Sequence, residues 1–330
     1  MNPRLRMGLL GLAASVFVSA ACAYAQDISL SVDATQTPQK ILHVHEVFPA
    51  HSGPKTIYYP KWIPGEHGPD GPVSGLTGLH FSANGQAVPW NRDLLDVYTF
   101  HVDVPAGATQ LDASYDYLEA PGYSATDKLL VLEWNEVALY PAGSPSRDLT
   151  YDARITLPDG WKYGTSLPVA SDSGNQVAFK PITFNLLVDS PIITGQYYRA
   201  IDITPPGEPI HHELDLAADS EAALAITPAL QKDMVNLVAE AGALFGTRHY
   251  RDYHFLLALS DHVAHFGLEH HESNDSRLPE RALISPNAGM TVGGLLPHEY
   301  VHSWNGKFRR PADLTTPAFE TPMETDLRWG

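Results

Sequence analysis

The chain has 330 residues, 44% of them apolar, and a formal net charge of −17. An acidic surface of this kind repels phosphate backbones and anionic lipid, which excludes nucleic acid and membrane surfaces as natural partners. After the first 25 residues, no run is long and apolar enough for a membrane span.

Arg4 and Arg6 precede an apolar run from Gly8 to Ala21, and Ala23-Tyr24-Ala25 forms an A-x-A cleavage signal before Gln26. Residues 1–25 therefore read as a signal peptide, and the protein is expected to be exported, to the periplasm or beyond. Cys22, the single cysteine, falls inside this leader, so the exported chain is expected to hold together without disulfides. A competing expectation is a lipoprotein anchored through Cys22, against which Ser19-Ala20-Ala21 stands as a poor lipobox.

Residues 26–203 read as short β-strands punctuated by Gly, Pro, Asn and Asp. Tyr98 to Val104 alternates with period two, Leu129 to Leu132 is a short apolar run, and Asp152 to Leu157 stops at Pro158-Asp159-Gly160. Strands this short and evenly spaced predict a β-sandwich. The Pro/Gly-rich stretch from Lys61 to Pro72 is expected as a long loop, with Trp62 as a core anchor rather than a ligand platform. The texture changes after Pro205-Pro206-Gly207, and residues 204–226 are expected to form the boundary. From there, 227–330 reads as a second domain. Thr227 followed by Pro228 is an N-cap with Pro at the first helical position, and Leu230, Met234, Leu237, Val238, Ala241, Leu244 and Phe245 recur at helical spacing. Tyr253 to Leu259 is expected as a strand, followed by an irregular segment to about Asn287 and then a helix.

That last helix carries the chemistry. His298-Glu299-Tyr300-Val301-His302 is an HExxH pentapeptide, which places two imidazoles one turn apart on one helix face, able to share a Zn²⁺. Glu299, one step round, is placed to take a proton from a water activated by the ion. The competing reading is chance, with two His and a Glu on a solvated helix face. The small and apolar flank Met290 to Leu296 counts against it, since it could bury the start of a helix, while Pro297 is expected only in a first turn or at a kink.

Upstream lies Gly267-Leu268-Glu269-His270, weak alone but informative at this separation from the HExxH. Together with His298 to Asn305, the basic run Lys307-Phe308-Arg309-Arg310-Pro311 and the earlier Leu187-Val188-Asp189-Ser190-Pro191, it resembles the glycyl aminopeptidase family of gluzincins, whose members often carry a PDZ domain. The resemblance implies an α+β protein of two domains, an N-terminal β-sandwich followed by a thermolysin-like α/β zinc-peptidase domain. It implies His298 and His302 as zinc ligands and Glu299 as general base. Gly267 and Glu269 would lie on an edge strand that aligns a peptide substrate, with Glu269 holding its free amino terminus. Glycine is the residue that such a family removes by preference.

The family pattern continues beyond a Trp such as Trp329 into a third ligand, a glutamate, whereas this sequence stops at Gly330. The catalytic domain is thus expected to be incomplete and its activity impaired. Glu320, Glu324 and Asp326 are substitute ligands in principle, but each reads as an exposed loop carboxylate. His265, His270 and His271 could form a second metal cluster, though histidines grouped on a loop are more often solvated. Against the aminopeptidase stands a second reading, an inactive peptide-binding β-sandwich with a vestigial zinc site. The oligomeric state is left open by the sequence.

Overall fold

The computed structural model describes residues 27–66 and 68–323. The expected leader, Cys22, Glu324 and Asp326 lie outside them.

Strands dominate up to residue 195. Ile28–Asp33 and Ile41–Pro49 pair antiparallel at the centre of a nine-stranded sheet, flanked by Gln110–Leu118 on one side and, in parallel, by Thr150–Thr156 on the other. A four-stranded sheet, with Gly53–Tyr58 and Thr99–Val104 at its centre, faces it. Alternation explains the packing: in Ile41–Pro49, Leu42, Val44 and Phe48 point inward, and in Thr99–Val104, Phe100, Val102 and Val104 do the same. Both sheets bury these residues in one core, where Trp90 sits edge-on between Phe81 and Phe100. The expected sandwich is present, and the expected strands appear at Thr99–Val104, Leu129–Leu132 and Thr150–Thr156. Trp62 does not act as a core anchor. Its neighbour Ile63 is buried instead, while Trp62 is half-buried and its backbone N–H donates to the Phe319 carbonyl at 2.7 Å.

The second unit is built on a five-stranded sheet in the order Tyr197–Asp202, His212–Ala218, Tyr253–Leu259, Ser273–Leu278, Phe266–Glu269. The change of sheet thus falls at about residue 196, ahead of the stretch 204–226 that composition marks as a boundary. That stretch contains His212–Ala218, an interior strand hydrogen-bonded on both sides. Pro205, Pro206 and Gly207 make only the turn between two paired strands. The helix Pro228–Phe245 begins as the sequence predicts, with Thr227 Oγ1 accepting from the Leu230 N–H at 3.1 Å, and ends on Gly246 in the left-handed region.

The segment between Leu259 and Asn287 is not irregular. It holds two strands, and the inner one, Ser273–Leu278, is buried at all six positions despite reading Ser-Asn-Asp-Ser-Arg-Leu. Polarity hid it, because a buried strand normally betrays itself by apolar residues. Here its buried charges are paired: Arg277 lies between Asp275 at 2.5 Å and Glu133 of the first unit at 3.2 Å, with its guanidinium over the rings of Phe266 and Tyr123. Among the described residues, no helix is long and apolar enough to cross a membrane.

Candidate active site

The HExxH residues close the helix Ala288–His302. Its inner face packs Val292, Leu296 and Tyr300 against the sheet, and Tyr300 meets Tyr250 and His212 in a buried hydrogen-bonded group. Trp304, just past the helix, stacks on Phe245 and donates its indole N–H to the Thr247 carbonyl at 2.7 Å. Met290, expected in the buried start, is exposed. Pro297 lies inside the helix, where it leaves the Gly293 carbonyl without its usual helical donor.

With Tyr300 fixed inward, His298 and His302 share the adjoining face. Their Nε2 atoms approach to 3.3 Å, and with an oxygen of Glu299 they form a group of ligand atoms all within 4.8 Å of one another. His302 Nδ1–H donates to the Asn305 carbonyl at 2.9 Å, which leaves the Nε2 lone pair free and aimed at its partner. Two imidazole nitrogens brought together beside a carboxylate suit a borderline cation such as Zn²⁺, so the donor set fits the expected ion.

Glu269 and Gly267 lie on Phe266–Glu269, which pairs antiparallel with Ser273–Leu278 and has no strand on its other side among the described residues. Strand alternation turns both toward the motif helix. A Cβ at Gly267 would stand 2.6 Å from Glu299 Cδ, so glycine is what lets the strand backbone and the Glu299 carboxyl meet. Glu269 is buried on the same face, with Gly65 of the loop at 61–66 close above its carboxylate at a φ of +102°. Burial, then the neighbouring charges of Glu269 and Asp275, push the Glu299 carboxyl up to about 7 against the opposing pull of Lys307.

Asp189 fastens this assembly. It stands just past the short helix Phe184–Val188 of the first unit and accepts from the backbone N–H of His271 at 2.9 Å, from Lys307 Nζ at 2.8 Å and from His270 Nδ1 at 3.2 Å. Burial opposes its charge, but Lys307 and His270 outweigh that and hold its carboxyl well below the usual carboxylate range. Ser303 completes the tie, its hydroxyl donating to the His271 carbonyl at 2.6 Å. The sequence showed the Leu187 to Pro191 motif and the basic run, but not that one carboxylate joins them.

Several expected alternatives are not brought to the site. Glu320 accepts a short hydrogen bond from Tyr140 on the sandwich, which accounts for its carboxylate away from the histidines. His265 is bonded to the Ser260 carbonyl at 2.8 Å, His270 to Asp189, and the His271 ring stacks near Phe308, so these three share no metal group. A ligand-like group that spacing did not reveal is Glu213, Asp215 and His254, on adjoining strands. There Asp215 already accepts from Tyr198 and from His254 Nδ1, the latter at 2.7 Å, so the group is closed on itself.

The family model of the M61 N-terminal domain matches residues 29–196, and that of the M61 glycyl aminopeptidase matches residues 291–330. No curated protein sequence matches the chain. Among solved structures, an aminopeptidase N family protein from Idiomarina loihiensis is similar at 20% identity with a TM-score of 0.74, over 88% of this chain and 51% of that one. An M1 zinc metallopeptidase from Deinococcus radiodurans is similar at 16% identity with a TM-score of 0.53, over 88% and 66%. At these identities the likeness establishes the fold, and the chain spans about half the length of the Idiomarina protein. With one model covering just over half of the sequence and the second beginning inside the motif helix, the chain belongs to the M61 peptidase family.

Proposed function

We propose that the chain carries the catalytic centre of an exported Zn²⁺ aminopeptidase, which removes the first residue from peptides with a free amino terminus. The observation that carries this reading is the meeting of His298 and His302 Nε2 at 3.3 Å beside buried Glu299, with Glu269 on the adjoining edge strand. His298 and His302 would hold the ion, which when bound acidifies a water and polarises the scissile carbonyl. Glu299 takes a proton from the attacking water and returns it to the leaving amine. The open side of Phe266–Glu269 offers N–H and C=O groups to an extended peptide, and Glu269 holds its ammonium, so that only the first peptide bond comes within reach. Glycine as the residue removed rests on the family resemblance, and export on the leader at 1–25.

Among the described residues no third imidazole or distant carboxylate joins the group, so activity of this polypeptide is expected to be low. The same observation favours a second reading, a peptide-binding module with a vestigial site. Zinc content by mass spectrometry and glycine release from a glycyl anilide separate them. The first reading expects bound zinc that falls on His298→Ala or His302→Ala, and release that Glu299→Gln abolishes. The second expects peptide affinity that EDTA leaves untouched. Equal release by the parent and Glu299→Gln proteins would remove the catalytic reading.

A further inference from the structure

A cavity of about 490 Å³ opens on the first unit, bounded by the loop that carries Ile63. Tyr123 on its wall stacks against Phe266 of the edge strand, with ring centroids 5.9 Å apart, which places the cavity next to the peptide-aligning strand. Its lining is acidic: Glu66, Asp70, Glu119, Glu133 and Glu136 contribute, with Tyr117 and Tyr123 as aromatic faces.

The charges there do not balance. Glu133 shares the Arg277 guanidinium with Asp275, and that exhausts it. Glu119 is 4% exposed and Glu136 1% exposed, yet both carboxylate oxygens of Glu119, Oε2 of Glu136 and Oδ1 of Asn135 have no hydrogen-bond partner among the described residues. Lys40 is the other cation whose field reaches Glu119, and no ion pair joins the two. Buried acceptors left empty in this number cost the fold several kcal/mol unless something supplies donors and positive charge.

The geometry also selects the donor. Among the described residues, three or more His, Cys, Asp or Glu ligand atoms converge within 4.8 Å in only two groups, His298-Glu299-His302 and Glu213-Asp215-His254. Glu119, Glu133 and Glu136 do not converge that closely as a trio, whereas a group with several N–H donors on an apolar stem reaches separate acceptors and lies against the tyrosine rings.

We propose that this cavity binds a guanidinium or alkylammonium group on an apolar stem, the basic side chain of a bound peptide, with Glu119 and Glu136 as its acceptors. The carrier being a peptide rests on the aminopeptidase reading. The cation site itself does not, so a small-molecule probe tests it separately.

The experiment is calorimetric titration of the full chain at pH 8 with agmatine, and with N-butylurea as its neutral counterpart. Saturable one-to-one binding of agmatine is expected, at least tenfold tighter than the urea. The Glu119→Gln/Glu136→Gln double variant should weaken it tenfold or more, and Glu119→Gln alone at least threefold, so that one variant suffices should the other not fold. Glu269→Gln should leave the agmatine affinity within twofold, and millimolar Ca²⁺ should not compete. Equal binding of charged and neutral probes, or unchanged affinity in the glutamine variants, would overturn the proposal. So would loss of binding in Glu269→Gln, which moves the cation to the active site, or displacement by Ca²⁺, which makes the cavity a metal site.

Discussion

Two groups of buried carboxylates flank the edge strand and differ in how their charge is met. Asp189 has every acceptor in use, by Lys307, His270 and a backbone N–H, and its carboxyl is driven down. Glu119 and Glu136 hold oxygens that nothing answers, and their carboxyls are driven up, Glu119 to about 7. Burial alone raises all of them, so the sign of the outcome is decided by the cation within reach. The contrast separates a fastening from a socket: the first joins three segments of chain, the second waits for a charge from outside.

The largest test of this contrast removes the fastening. Asp189→Ala would leave Lys307, itself only slightly exposed, as an uncompensated buried charge, and a loss of about 3–5 kcal/mol is expected in denaturant unfolding. Removing acids from the socket should do the opposite. At pH 8 the Glu119→Gln/Glu136→Gln protein is expected to melt no lower than the parent, and a large loss of stability there would erase the distinction.

The pH profile separates the two groups without mutation. Glu119 and Glu133 titrate near 7 and 8 when folded, pushed up by burial against the pull of Arg277, and near 4.5 when unfolded. Between those values the folded chain binds more protons than the unfolded one, so their contribution is present below about pH 4.5 and is lost as pH rises towards 8. Asp189 runs the other way: its depressed carboxyl contributes above the unfolded value near 3.8 and loses that contribution as pH falls further into acid. Melting temperatures should therefore decline from pH 5 to pH 8, and the glutamine double variant should flatten that decline. A profile indifferent to the substitutions would remove the acidic socket as its cause.

How much of this was legible follows from what each feature depends on. The motif helix, the N-cap at Thr227 and the strand Tyr253–Leu259 are local, written in spacing and apolar period, and the sequence shows them. Ser273–Leu278 was not legible, because the charge of its buried Arg277 is met in part by Glu133, which lies far off in the chain. The stretch 204–226 misleads for a related reason. Pro205-Pro206-Gly207 looks like a linker, and only the pairing of Tyr197–Asp202 with His212–Ala218 shows it to be a turn within one sheet. At the site the histidines were readable and the role of Gly267 was not: its need for a bare backbone comes from Glu299, across the gap between strand and helix.

That contact gives an intermediate test. Gly267→Ala places a methyl group against the Glu299 carboxyl, with Leu295 also in the way, and a loss of about 1–3 kcal/mol is expected from overpacking. If the strand must stay close to Glu299 for the site to work, glycine release should fall further than stability does. Unchanged stability would mean that the strand moves aside freely, and that Gly267 is not what brings edge strand and helix together.

The smallest effect belongs to a third, half-buried contact, which asks whether any carboxylate near the site acts as a further ligand. Glu320 answers Tyr140, whose ring also packs on Phe319 and Phe184, so this acid belongs with the fastenings rather than the socket. Glu320→Gln keeps an acceptor for the phenol and removes only the charge, so a loss of about 1 kcal/mol is expected. Zinc content should not change, because Glu320 lies outside the group of ligand atoms that His298, Glu299 and His302 form. A fall in bound zinc on this substitution would place Glu320 at the histidines after all, and would count against the division drawn between the two kinds of buried acid.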